Sequence, residues 1–220
     1  GALKLNNVDF TYHLLKDTGR VVKNMNYNHI HMFNAFGTIT EIGFNGDTIK
    51  AQITNLSARE YCGFELKNLT TKGYISSTEL KCDSIYLKTA NSLEETTLYR
   101  HLMKGNLSFK YDHWQDYTDF INKVYIKGNL KDSTYLNLKD IAYFAEDLNG
   151  FKEVLVVKGK VRGFVNDLSG ANMIVSYRSN TQFIGDISIT GLPDIDKSFI
   201  HFDAEKLSTS KFDLEKFPIP

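Results

Sequence analysis

The chain has 220 residues, with 26 Lys and Arg against 26 Asp and Glu, so its formal net charge is zero. This balance gives no electrostatic reason to expect nucleic acid or an anionic membrane surface as a partner. Hydrophobic residues make up 42% and charged residues 24% of the chain, a composition that excludes intrinsic disorder. No run reaches the roughly 18 apolar residues of a transmembrane helix.

The hydrophobic pattern has a period of two residues along most of the chain. Residues 1–25 are expected to form an extended leader. Beyond them, Ile49, Ala51 and Ile53 alternate with polar residues, and the same alternation recurs at 107–111, 124–130, 155–163 and 183–189. Each of these segments is predicted to be a strand with one apolar and one polar face.

Turn signals fall between these strands. Asn45-Gly46-Asp47 is typical of a hairpin, and Asn166-Asp167 and Ser179-Asn180 separate later strands. A spacing of about 8–12 residues between turns favours a meandering antiparallel sheet.

Two short helices are predicted to cover an end or edge of this sheet. The first spans Asp116–Val124, with Asp116 as its N-cap. The second spans Leu138–Leu148 and is stopped by Asn149-Gly150.

A glycine followed at the second position by an aliphatic residue recurs inside the predicted strands. The instances begin at Gly37, Gly105, Gly128, Gly159 and Gly185. Glycine weakens a strand interior, so the recurrence indicates bending of a curled sheet or room for a group that passes over the backbone.

The fold class is therefore all-β. A curled antiparallel sheet with one apolar face either closes on itself as a core, for example as a closed β-sandwich, or leaves an open trough. The alternation by itself leaves both architectures open.

No constellation of catalytic residues is present, and the chain is not expected to be an enzyme or to carry a cofactor. His29-x-His31 would place two imidazoles on one face of a strand, but a metal site needs further ligands, so no metal is expected. Cys62 and Cys82 are separated widely enough that pairing and free thiols both stay open.

The single tryptophan, Trp114, is the one candidate for an exposed aromatic ring. Rings stack on sugars, so a carbohydrate-binding β-sandwich is an alternative function.

An ordered set of patterned segments resembles the AsmA-like family. The resemblance is strongest to its TamB branch, the translocation and assembly module subunits, in the form found in Bacteroidetes. It covers roughly residues 25–212 and depends on the segments Tyr27–Ile30, Gly46–Ser57, Gly63–Leu69, Leu138–Leu148, Val157–Gly163, Val165–Asn172 and Thr181–Asp194.

The resemblance implies a fold, a location and a function. The fold would be a long curled antiparallel sheet forming an open, taco-like β-groove, with one or two short helices. Residues 1–220 would be one internal segment cut from a longer periplasmic chain, anchored to the inner membrane by a segment outside this sequence. The remainder of the same long chain would continue the groove. A BamA-like outer-membrane partner would dock through regions that also lie outside this sequence.

The implied activity is conduction of phospholipid between the inner and outer membranes, in support of outer-membrane biogenesis. Acyl chains would contact the groove lining, which is expected to comprise Ile49, Ala51, Ile53, Leu107, Phe109, Val124, Ile126, Leu155, Val157, Val161, Val175, Phe183, Ile187, Ile189 and Phe202. A scaffold that offers sheet edges to nascent outer-membrane strands by β-augmentation is an alternative.

Overall fold

The computed structural model describes residues 1–13, 24–26, 28–93 and 103–216. Strands account for most of them: β1 (Ala2–His13), β2 (His29–Asn45), β3 (Thr48–Glu60), β4 (Glu65–Ile75), β5 (Glu79–Thr89), β6 (Met103–Lys110), β7 (Tyr125–Asn137), β8 (Val154–Phe164), β9 (Asp167–Tyr177), β10 (Thr181–Thr190) and β11 (Phe199–Ser208).

Helical segments are short. The α-helices are α1 (Phe120–Lys123), α2 (Leu138–Ala142) and α3 (Lys211–Lys216). The 3₁₀ segments are Ala90–Leu93, Trp114–Asp119, Glu146–Leu148 and Ile195–Lys197.

The described strands form one sheet in which each strand pairs with its neighbours in sequence. The order is β1 to β11 without a crossover, every pairing is antiparallel, and the sheet is open because β1 and β11 are its two edges. The predicted all-β antiparallel class is confirmed. The closed alternative is wrong for the part of the chain described, because its strands form one sheet that is not closed.

The predicted turns lie where the strands reverse. Asn45 pairs with Thr48, which leaves Gly46-Asp47 as a two-residue turn with Gly46 at φ 60°. This left-handed backbone at Gly46 is the conformation that primed hairpin turns require. Phe164 pairs with Asp167, so this turn is Val165-Asn166, one residue before the predicted Asn166-Asp167, and Asp167 begins β9.

Both predicted helices form, but in shorter pieces. The first begins as the 3₁₀ segment at Trp114 and continues as α1, and His113, not Asp116, is the N-cap of the 3₁₀ segment. The Asp116 carboxylate instead accepts hydrogen bonds from the backbone N–H groups of Asp112 and His113, both at 2.9 Å.

The second helix ends as α2 at Ala142. Ala145 has an extended backbone at φ −136° and ψ 103°, which separates α2 from the 3₁₀ segment Glu146–Leu148. The break places the rings of Tyr143 and Phe144 against Phe64 in the β3–β4 turn. A tertiary contact thus overrides the helical periodicity.

The expected leader, residues 1–25, contains β1, which pairs with β2 over most of its length. Residues 14–23 of that range and Tyr27 of the family-like segments lie outside the described residues.

The hydrophobic core is small for a chain of this length. Its cluster of buried residues comprises Leu130, Val157, Met173 and Phe183, on β7 to β10. Most other apolar strand residues are only partly buried, so the clustered hydrophobic core lies in one half of the sheet.

Candidate functional site

One face of the sheet is apolar across the strands. Because directly paired residues share a face, the register can be followed from strand to strand. One row runs from β3 to β11 through Ile49, Ile75, Leu80, Phe109, Ile126, Gly163, Leu168, Ile189 and Ile200. The next row on the same face runs through Ala51, Gly73, Cys82, Leu107, Gly128, Val161, Gly170, Ile187 and Phe202. We call this side the apolar face.

The opposite side of the sheet is polar. The row that lies between the two apolar rows in sequence runs through Lys50, Tyr74, Lys81, Ser108, Lys127, Arg162, Ser169, Ser188 and His201. The sheet is therefore amphipathic over nine consecutive strands, β3 to β11.

The predicted lining residues share the apolar face. Each lies in a strand on that face except Val124, which is fully buried between α1 and the start of β7. Their burial differs along the sheet: Val157 and Phe183 are buried, at 5% and 7% exposure, whereas Phe202 on the edge strand is 56% exposed.

Sequence reasoning missed several positions on this face. Leu80, Met173 and Leu168 lie there by register, as does Thr71, which is buried between Ile53 and Ile85. The alternation around Leu80 is interrupted by the polar and thiol side chains of Lys81–Ser84, so a pattern search passes over it.

The recurrent glycines also lie on the apolar face. At Gly105, Gly159 and Gly185 an added Cβ would come within 2.1–2.9 Å of a carbonyl oxygen of the neighbouring strand. At Gly128 it would meet the Leu107 side chain at 2.5 Å. The glycines thus allow close approach of strands where a side chain would prevent it, as expected where a sheet bends toward this face.

A helical segment crosses the apolar face at one end of the strands. It comprises Trp114–Lys123, and we call it the crossing segment. Phe120 packs on Phe109 of the apolar face, with ring centroids 5.9 Å apart. The Asn166 side chain donates to Asn122 Oδ1 at 2.6 Å, which ties the segment to the β8–β9 turn.

Aromatic rings hold the start of this segment. Tyr111 is buried, its hydroxyl donates to the Ser76 carbonyl at 2.8 Å, and its ring lies 5.2 Å from Trp114 and 4.9 Å from Tyr117. Burial raises the pKa of the Tyr117 hydroxyl, so this group stays protonated.

An apolar cavity of about 600 Å³ lies beside the crossing segment. Its lining includes Tyr12, Ile30, Leu80, Trp114, Gln115, Tyr117 and Thr118. Tyr12 pairs with Ile30 where β1 ends and β2 begins. Leu80 is the second residue of β5 and pairs with Phe109 of β6. Residues from β1–β2, from β5 and from the crossing segment thus line one cavity.

The other end of the strands is crossed by the segment Leu138–Glu153. The Met25 N–H donates to the Tyr143 carbonyl at 2.7 Å. Asp140 accepts hydrogen bonds from Thr89 Oγ1 at 2.6 Å and Asn91 Nδ2 at 2.7 Å. These contacts join α2 to the ends of β2 and β5.

The cysteines are free thiols in different parts of the sheet. Cys62 lies in the β3–β4 turn and Cys82 on the apolar face of β5. Burial, followed by the hydrogen bond that the thiol donates to the Glu60 carboxylate, raises the pKa of Cys62 to about 11.

The histidine motif does not assemble a metal site. His29 lies 5.8 Å from His13 by ring centroids, and His31 stacks on Tyr61 at 5.7 Å. In the described ranges no group of three His, Cys, Asp or Glu side chains could hold a metal ion.

No described helix has the length and apolar character to cross a membrane. Comparison of the chain with protein-family models, with curated proteins and with solved structures finds no match.

Proposed function

We propose that this chain is a segment of a periplasmic lipid-conducting groove, in which phospholipid acyl chains move along the apolar face between the inner and outer membranes. The observation that supports the proposal most strongly is the continuity of the apolar face over consecutive strands, in a single open sheet. An amphipathic sheet needs a cover for its apolar face, and within the described residues only short helical segments lie over it.

Acyl chains suit such a surface. They need a continuous apolar contact area and no directed hydrogen bonds, which fits a face with many aliphatic residues. The opposite row, with Lys81, Lys127 and Arg162, would face the aqueous periplasm.

The family resemblance supports the periplasmic location of the groove and its place between the inner and outer membranes. An AsmA-like chain of the TamB branch would be anchored to the inner membrane and would support outer-membrane biogenesis. The groove would then continue through neighbouring parts of the same long chain.

The first experiment compares two aspartates placed at adjacent positions on opposite faces. Ile187→Asp puts a charge on the apolar face, and Ser188→Asp is the matched control on the polar face, since Ser188 pairs with Ser169 and His201. Each protein is purified from a bacterial host and analysed by native mass spectrometry and lipid extraction.

We expect phospholipid to co-purify with the wild type and with Ser188→Asp, and to be lost from Ile187→Asp, while circular dichroism shows that all three remain folded. A charge in a closed core would instead unfold the protein, because burying an unpaired carboxylate costs several kcal/mol. A folded Ile187→Asp protein that retains its lipid would refute the groove.

The second candidate function is a scaffold that binds nascent outer-membrane strands by β-augmentation. The observation that favours it is β11, in which every residue is exposed and one backbone edge is unpaired. Photo-crosslinkers at position 203 of β11 and at position 202 in the apolar row separate the candidates: captured polypeptide at these edge positions supports the scaffold, whereas captured phospholipid at position 202 supports the groove.

A further inference from the structure

The cavity beside the crossing segment differs from the rest of the apolar face because three separate parts of the chain line it. Tyr12 and Ile30 come from β1–β2, Leu80 from β5, and Trp114 and Tyr117 from the crossing segment. A volume of about 600 Å³ lies within the range of small-molecule sites, roughly 300–1,000 Å³.

The lining of the cavity selects for an apolar, uncharged occupant. None of the lining residues named above carries a charge, and the polar ones at its rim are Gln115 and Thr118. The Thr118 hydroxyl already donates to the Gln115 carbonyl at 2.7 Å. A sugar, which presents hydroxyl groups on every side, would leave several of them without partners here.

The cavity is continuous with the apolar face. Leu80 pairs with Phe109 and Ile75 in the apolar row, and Phe109 contacts Phe120 of the crossing segment. A flexible hydrocarbon chain lying along the row could therefore enter the cavity without crossing a polar boundary.

We infer that the cavity is a discrete binding site for one acyl chain, with the crossing segment as its wall and Trp114 in contact with the hydrocarbon. The inference is based on the proposed lipid-conducting function and adds a fixed position at which a chain pauses. The crossing segment lies over the apolar face at this position, where Phe120 contacts Phe109.

Trp114 provides a direct test because it is the only tryptophan of the chain. The purified protein is delipidated and titrated with vesicles of phosphatidylcholine whose acyl chains carry bromine atoms, with unbrominated vesicles as the reference. Bromine quenches indole fluorescence only at contact range, so we expect brominated lipid to quench Trp114 and unbrominated lipid to leave its intensity unquenched.

Two variants distinguish lipid binding in the cavity from general adsorption of lipid to the protein. Tyr12→Asp introduces a charge into the cavity from an edge strand where the side chain is 41% exposed, so the fold is retained. We expect this variant to lose most of the quenching. The double variant Trp114→Phe/Tyr86→Trp moves the reporter to the polar face, where Tyr86 pairs with Lys104, and should not be quenched.

The outcomes distinguish this inference from the proposed function. If lipid co-purifies with the wild type but brominated lipid leaves Trp114 unquenched, the groove stands and the site is refuted. Equal quenching in the wild type and in Tyr12→Asp also refutes the site. If no lipid binds in either experiment, both proposals fail.

Discussion

At the residue scale, the polar face contains a like-charged pair at directly opposed positions. Lys127 on β7 pairs with Arg162 on β8, and both side chains are exposed. Like charges directly opposite each other destabilise a sheet, and opposite charges stabilise it, by about 0.2–1 kcal/mol. We therefore expect Lys127→Glu to raise the free energy of unfolding by an amount of this order, measured by urea denaturation.

The control for this prediction is salt. Because exposed charges are screened, the gain should shrink as ionic strength rises from low salt to about 1 M, where the Debye length is only about 3 Å. Lys127→Gln should give a smaller gain than Lys127→Glu. A variant that is less stable than the wild type at low salt would show that Lys127 has a favourable role on this face.

The thiol of Cys62 leads to a second prediction at this scale. Burial and the Glu60 hydrogen bond raise its pKa from 9.0 to about 11. The thiolate fraction near pH 8 is then lower by about 100-fold than for an ordinary thiol, since each pKa unit changes it tenfold. We expect alkylation of Cys62 by iodoacetamide to be correspondingly slow, and mass spectrometry of the peptide that contains residue 62 measures it.

The raised pKa of Cys62 also makes the stability of the fold depend on pH, with a definite sign. A raised pKa means that the folded state holds the thiol proton more tightly than the unfolded state. The stability linked to Cys62 is therefore complete below pH 9 and is lost as the pH rises through about 11. For the alkylation experiment, urea-unfolded protein is the reference. Equal rates of Cys62 alkylation in folded and unfolded protein would contradict the predicted slow reaction.

At the scale of the elements, glycines determine how closely the strands approach. Gly185 has φ 150°, and a Cβ there would lie 2.1 Å from the Asp203 carbonyl oxygen of β11. We expect Gly185→Ala to destabilise the protein by about 1–3 kcal/mol, because both the backbone strain and the overlap must be relieved. Thermal or urea unfolding measures the loss.

Gly43 is the matched control for Gly185. It also lies in a strand, but its φ is not in the left-handed range and nothing lies within 4 Å of an added Cβ. Gly43→Ala should change stability by less than about 0.5 kcal/mol. Equal losses for the two variants would show that close strand approach is not the reason for Gly185.

The strands could be predicted from the sequence because their alternation is strong, as at Leu155, Val157 and Val161 in β8. The pairing register between the strands could not be predicted from the sequence. Bulges shift the pairing between Ile53 and Leu56 and between Ile184 and Gly185, and such shifts follow from backbone contacts between strands. The break of the second helix at Ala145 likewise depends on Phe64, which is distant in sequence.

The candidate site was predictable to a similar extent. The alternation placed the lining residues on strands, and the register places those in strands on one face. The cavity could not be foreseen, because it depends on how β1–β2 lies relative to β5, and β1 falls in a range expected to be a leader. Trp114 was singled out as an exposed ring, and its side chain is 49% exposed in the structure.

At the scale of the whole molecule, the described sheet has two unpaired edges, at β1 and β11, and the chain has no formal net charge. The apolar residues of β11 are strongly exposed, with Phe199 and Leu207 both at 68%. An exposed apolar edge strand is a template for pairing with another chain, and zero net charge does not oppose association. We therefore expect the isolated chain to self-associate as its concentration rises, measured by sedimentation velocity.

Ile200→Lys tests whether this association uses the β11 edge. A lysine on an edge strand opposes pairing between sheets, so the variant should shift the distribution toward monomer. Phe144→Lys changes a similarly exposed residue, at 45% against 47% for Ile200, that lies outside the strands after α2, and serves as the control. Equal shifts in both variants would assign association to general hydrophobicity and not to the edge.

The uninterrupted order of the sheet also affects how the chain can fold. Each described strand from β2 onward pairs with the strand made just before it, so its partner is already present when it leaves a ribosome or a translocation pore. The sheet can therefore grow strand by strand from β1 during synthesis, and only the most recently made strand waits for its next partner.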